Sequence, residues 1–412
     1  MTASAAASPP RSLGADAQLI GLVGLAHAIS HFMQLVLPPL FPWIKDDFGL
    51  SYTQLGAVLT VFFVVSCVVQ AASGFLVDKL GPRPVLFAGL GLLALSGLCY
   101  ALAPNYWMLF GGAVLAGIGN GVFHPVDYTL FNRKVTPTRL GHAYSVHGIT
   151  GSLGWALAPV FVVPLAIAFS WRTALAAAGG VALVVLLVLW AYRRVLELDV
   201  KDVHKATGQG HAHVAGEFDF LRIPAVWMCF GFFFLYAVVI SVVQTFAPTA
   251  AGHLHFAPVA LVAVCLTAYM VASAGGMLVG GFLAADPSRC ERIVGIGFGL
   301  AAMLALVLAL ADFPPVVVPV LFGAMGFATG LAGPSRDLLV KRSTPANATG
   351  RVYGVVYAGL DIGQAAAPLV FGALMDHGQY RSVIIGLALV QATLIAGAFN
   401  VQRVRRTALV PT

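Results

Sequence analysis

The sequence predicts an all-α polytopic membrane protein, with twelve transmembrane helices in two pseudo-symmetric six-helix halves. Three observations carry this expectation. Of 412 residues, 59% are hydrophobic and only 9% are charged, against about a quarter charged in a soluble domain, so most of the surface cannot face water. The apolar residues fall into twelve runs of about twenty residues, the length that crosses a hydrocarbon core. A stretch of the first half also recurs in the second.

Residues 1–18 are rich in Ala, Ser and Pro and lack an apolar core, so they read as a cytoplasmic tail and not as a cleaved leader. The runs lie near 19–42, 54–77, 84–103, 107–131, 141–168 and 171–192, then 224–248, 258–284, 291–311, 315–340, 350–374 and 381–402. A bilayer offers backbone amides no partner, so each run is expected to be helical. The long hydrophilic stretch 193–223 separates a bundle over 19–192 from a second over 224–402, and 403–412 forms a C-terminal tail. That linker carries His204, His211 and His213; a solvated linker is the expected role, with a metal-binding His-x-His pair as the alternative.

Of the 23 Lys and Arg residues, all but Lys45, Arg172, Arg381 and the intramembrane Arg336 fall on the side of the two termini. Positive charge marks the cytoplasmic side, so both termini are expected there, with the chain in a bacterial inner membrane. The net charge of +7 is spread over short loops, which gives no reason to expect a nucleic-acid partner. Cys67, Cys99, Cys229, Cys265 and Cys290 make no C-x-x-C pair, so neither a disulfide framework nor a cysteine metal site is indicated. The phosphate-cradling G-x-x-x-x-G-K-[ST], the nucleophile G-x-S-x-G and any cofactor fingerprint are absent. No enzyme activity, no cofactor and no bound metal are expected.

The repeat pairs Pro125 with Pro334, Arg133 with Arg342, Gly141 with Gly350, Tyr144 with Tyr353, Gly154 with Gly363 and Pro159 with Pro368, each 209 positions apart. The spans run in the same direction in both copies, which implies a pseudo-twofold axis along the membrane normal and a pathway between the halves. Between spans two and three lies Gly74-Phe75-Leu76-Val77-Asp78-Lys79-Leu80-Gly81-Pro82-Arg83. This resembles the major facilitator superfamily signature G-x-L-a-D-r-x-G-r-[rk], with a decayed copy ending at Asp286. The resemblance implies gate roles for Gly74, Asp78, Gly81, Arg83 and Asp286, with the glycines permitting close helix contact and Asp78 accepting from a helix N-terminus. Within the superfamily, G-N-G-V-F-H-P in span four and R-L-G-H-A-Y-S before span five look like the fosmidomycin-resistance branch of proton-driven exporters. The arginine that many proton antiporters carry midway along span four is absent, and Gly148, Gly151 and Gly154 replace the antiporter glycine-proline pattern.

Ionisable groups inside a bilayer cost about 2.5–3.5 kcal/mol each on insertion scales, which makes them functional candidates. His27, His31 and Gln34 share one face of span one by their spacing. Span four carries His124, Asp127 and Tyr128; span five His147; span ten Arg336 and Asp337; span eleven Asp361. These are candidates for a substrate or proton pathway, with ordinary helix packing as the alternative for each. Trp155, Tyr269, Tyr357 and Gln364 are further cavity candidates. Asp127 and Arg336 are related by the 209-residue repeat, and the family resemblance brings their helices together at the cytoplasmic gate. A gate contact between them is expected, or each is satisfied within its own half.

The leading expectation is a monomeric secondary active transporter that moves a small polar solute across the bilayer by alternating access, with protons or another ion as coupling partner. Export is favoured by the resemblance alone. Import of a small organic anion, transition-metal uptake and a non-transporting membrane sensor are the alternatives.

Overall fold

In the computed structural model the backbone is described over residues 12–198, 224–283, 289–343 and 349–408, and side chains over 12–198, 226–283, 289–336 and 358–396. Among the described residues twelve long helical spans appear. The first six are Leu13–Gln34, Tyr52–Leu80, Pro82–Ala101, Tyr106–Asn120 continued by Phe123–Lys134, Leu140–Ala168 and Trp171–Ala191. Pro224–Thr245, Val259–Leu283, Cys290–Leu310, Val317–Ser343, Thr349–Asp376 and Tyr380–Ala408 complete the set. Short helices Phe41–Phe48 and Ala247–Leu254 follow spans one and seven.

Local sequence explains the ends. Span one starts at Leu13 and not near 19, because Ser12 accepts from the Ala15 amide and caps the helix. Ser51 and Gln54 form a capping box at span two; Asn105 and Ser170 cap spans four and six. Gly81, at φ 82°, ends span two and starts span three, a conformation that disfavours any residue with a Cβ.

Span four breaks after Asn120, at Gly121 and Val122. Pro125 has no amide proton for the Gly121 carbonyl four residues back. Ser73 Oγ of span two donates to that carbonyl instead, at 3.2 Å. The break turns the segment that carries His124 and Asp127.

Glycine contacts then set how closely the helices pack. A Cβ at Gly117 or Gly121 would lie 2.7 or 2.6 Å from the Phe62 or Ser66 carbonyl oxygen of span two. A Cβ at Gly326 or Gly330 of span ten would likewise collide with the Tyr269 or Ser273 carbonyl oxygen of span eight. These glycines are also 209 apart, so the repeat extends to its packing surfaces. Small residues allow such approach in lipid, where dispersion between helices replaces the hydrophobic drive.

Spans one to six pack together, as do spans seven to twelve, and the main contacts between the groups run from span two to eleven and from span five to eight. These contacts are counterparts under the pseudo-twofold axis. Thr60 Oγ1 donates to the Ala365 carbonyl at 2.7 Å, and Thr267 Oγ1 donates to the Ala156 carbonyl at 2.9 Å. At the end of the spans beside the 35–51 connection, Asp376 accepts from the Tyr52 and Thr53 amides at 2.5 and 2.9 Å and from the Thr53 hydroxyl at 2.6 Å. A carboxylate from one half therefore sits on the positive end of a helix in the other. Pro368 leaves the Gln364 carbonyl without its helical donor, and Ser241 Oγ approaches that carbonyl at 3.4 Å. Because the two threonine bonds are equivalent and distant, Thr60→Val and Thr267→Val are expected to weaken closure at this end by about 1 kcal/mol each and by about the sum together. Spin-label distances across the interface check this; strongly non-additive shifts would contradict two independent contacts.

Candidate functional site: a buried histidine–aspartate cluster

The residues of the site come from four helices. His27 and His31 stand one turn apart on span one, with ring centroids 4.3 Å apart. His147 of span five stacks on His27 at 3.5 Å and 22°. His124, from the turned segment of span four, has its ring 5.3 Å from His27 and 5.9 Å from His147.

Asp127 is fully buried beside them. Its Oδ2 lies 3.0 Å from His147 Nε2 and 3.3 Å from His27 Nδ1. Its Oδ1 has no hydrogen-bond partner among the described residues. His124 Nδ1 is hydrogen-bonded to Gln70 Oε1 of span two at 2.9 Å. Nearby, Ser30 Oγ donates to Asn120 Oδ1 at 2.7 Å, and Asn120 Nδ2 donates to Ser66 Oγ at 2.9 Å. These bonds hold spans one, two and four in one register.

The cluster exists because glycine makes room for it. A Cβ at Gly151 of span five would lie 3.0 Å from His27 Nε2 and 3.1 Å from His31 Nδ1. One at Gly154 would lie 2.1 Å from the Ala28 carbonyl oxygen. Spans one and five thus meet backbone to backbone, with the imidazoles lodged beside the gap.

Gln34 lies apart from the rings, toward the second half. Its Oε1 accepts from Trp155 Nε1 and its Nε2 donates to Gln364 Oε1, both at 3.3 Å. Tyr128 is 42% exposed, with its ring 5.4 Å from that of His147. Tyr269 is buried in the second half, bonded to Thr329 at 2.8 Å, so packing accounts for it. Asp361 of span eleven lies beside Cys67 of span two, where these spans of the two halves pack together.

The expected Asp127–Arg336 gate contact is not made in this conformation. Asp127 takes its partners from its own half, and the Arg336 guanidinium lies 4.0 Å from the Tyr236 ring centroid and 5.4 Å from that of Phe233. The reason is symmetry. Tyr236 is 209 positions from His27, as Arg336 is from Asp127, so each half packs its span-four or span-ten charge against the same site on span one or seven.

Of the gate motif, Gly81 has the capping role described above, and Arg83 pairs with Glu197 at 3.2 Å. The space around Gly74 is open to a Cβ, so the close contact expected there is not made in this conformation. For Asp78 no helix N-terminal bond is described. Asp286, and the side chains of Asp337 and Tyr357, lie outside the described residues.

Sequence reasoning missed Gln70, Ser66 and Asn120 as supports of the cluster, since uncharged polar residues carry little signal of their own in an apolar run. It also missed Asp16, which is buried and accepts from Arg139 at 2.5 Å, tying the start of span one to that of span five.

The model of the Major Facilitator Superfamily matches residues 23–368. The chain belongs to that superfamily. It is 32% identical over 149 residues to the uncharacterized MFS-type transporter YfnC of Bacillus subtilis (strain 168), covering 35% of this chain and 36% of that protein. It is 29% identical over 143 residues to the fosmidomycin resistance protein of Escherichia coli (strain K12), covering 34% of this chain and 35% of that one. These alignments span about a third of each relative's length. Among solved structures, the fold is similar to that of a bacterial homolog of the human lysosomal transporter Spinster, with a TM-score of 0.76, 14% identity and coverage of 98% and 100% of the two chains. The chain therefore has the twelve-helix fold of this superfamily.

Proposed function

We propose that this superfamily member is a proton-coupled secondary active transporter that moves a small polar solute by alternating access, with export as its direction. It works as a monomer in a bacterial inner membrane, with both termini cytoplasmic. The symmetry-related Thr60–Ala365 and Thr267–Ala156 bonds carry the reading. Contacts related by a twofold axis let two rigid halves rock about their shared interface, opening one end as the other closes. Beside that interface lie the histidine cluster and the Gln34–Gln364 bridge, polar groups that a solute can replace as hydrogen-bond partners. The fosmidomycin resistance of one relative supports export.

Proton coupling is assigned to Asp361. Its carboxyl faces Cys67 across the helix pair that must separate when the halves rock, so its surroundings differ between the two end states. A group whose proton affinity differs between two conformations links their equilibrium to pH.

The test uses the full chain in liposomes with an imposed pH gradient and a panel of radiolabelled phosphonates, carboxylates and sugars. The gradient is expected to drive accumulation of one solute class. Asp361→Asn is expected to abolish gradient-driven accumulation and to keep solute exchange at equal pH. A wild-type flux indifferent to the gradient would remove proton coupling, and no flux for any solute would favour a sensor.

A further inference from the structure

Three imidazoles and a carboxylate packed around His27 are more than a hydrogen-bonded solute site requires. His31 Nδ1 and Asp127 Oδ1 are buried atoms, yet neither has a hydrogen bond among the described residues. Such groups are normally satisfied when buried. The ligand atoms of His27, His31 and His124 all lie within 4.8 Å of one another. Two of the nitrogens, His27 Nε2 and His31 Nδ1, converge on the space that Gly151 leaves free. The third histidine is already oriented: Gln70 Oε1 holds His124 Nδ1 at 2.9 Å, which leaves Nε2 to ligate.

Metal-bound histidines are typically held this way, the second ring nitrogen engaged by a carbonyl or carboxylate. His27 has the carboxylate version, with Asp127 Oδ2 3.3 Å from its Nδ1. The donor chemistry selects the ion. Three neutral imidazoles suit zinc, cobalt, nickel or copper, whereas calcium and magnesium need oxygen ligands. Three protein ligands also leave a coordination position open, as in zinc sites that exchange or activate a bound group.

We propose that His27, His31 and His124 bind one divalent first-row transition-metal ion, with Gln70 and Asp127 as positioning residues that orient His124 and His27. The site goes beyond the proposed transport reading, which needs no metal, and its readout requires no transport.

The test uses full-length protein in detergent, purified without a polyhistidine tag and carrying His211→Ala and His213→Ala, which removes the competing linker pair. Cobalt(II) is the probe. One equivalent is expected to give the visible absorption of low-coordinate cobalt with nitrogen ligands, and zinc is expected to bleach it. His31→Ala and His124→Ala are each expected to weaken binding at least tenfold. Gly151→Ala keeps every ligand but fills the space between two of them, and is expected to weaken binding as well. Gln70→Ala is expected to weaken binding less than loss of a ligand, with rescue by Gln70→Glu, which a merely structural role would not give. Thermal midpoints identify variants that fail to fold, and Gly151→Ala then decides. Absence of the cobalt band, or a band that survives both His31→Ala and His124→Ala in folded protein, overturns the site.

Discussion

Gly56→Val is expected to force open the end of the protein beside the 35–51 connection. A Cβ at Gly56 would lie 2.6 Å from the Pro368 carbonyl oxygen and 2.9 Å from its carbon, both backbone atoms that no rotamer change can move. Overpacking of this kind costs about 1–3 kcal/mol, and here the cost falls on one conformation alone, since spans two and eleven separate when the proposed rocking occurs. A penalty of about 2 kcal/mol lowers the closed population roughly thirtyfold relative to the open one. Spin labels at the exposed positions Pro104 and Gln379 are expected to report a longer distance in the variant. Gly21→Val is the control, because the space around Gly21 is empty. An unchanged distance distribution in a folded Gly56→Val protein would show that this contact does not control closure.

Gly330→Val is expected to destabilise the second half as a whole, independently of conformational state. Gly330 and Gly326 of span ten face the Ser273 and Tyr269 backbone, while Gly276 and Gly280 of span eight face that of Phe327 and Leu331, and a Cβ added at any of the four would collide with a carbonyl oxygen. Each glycine sits against backbone, so one added side chain separates the helices along several turns and loses dispersion contacts that lipid only partly replaces. A loss of about 3 kcal/mol is expected, as for severe core overpacking. The thermal midpoint in detergent is expected to fall by several degrees and the expression yield to fall with it. Gly275→Val, on the partner span eight but with open space around it, is expected to leave both unchanged. Equal behaviour of the two variants would remove the backbone contact as the cause.

Both substitutions act at glycines, and these show what can be read along a chain. Gly154 and Gly363 were legible as partners through the 209-residue repeat. That Gly154 meets the Ala28 carbonyl and Gly363 that of Phe234 was not, because a missing side chain leaves no periodic signal of what approaches it. His27 and His31 were legible as one face of span one, since helical spacing is a local property. Their meeting with His147 and His124 depends on the rotation and height of two other helices, which the Gly151 gap and the break before Pro125 determine. The gate contact between Asp127 and Arg336 was inferred from symmetry plus opposite charge. Symmetry instead places each charge against its own half, on His27 and on Tyr236.

The class of the protein, its spans and its internal repeat are all legible along the chain. Lipid leaves a long apolar run no alternative to a helix, so composition and length are sufficient there. Which polar groups share a site depends instead on how the helices pack. Buried charges and imidazoles choose partners over distances of 3 to 4 Å, and that choice rests on the axial register of separate helices, set by where a glycine lets one backbone touch another.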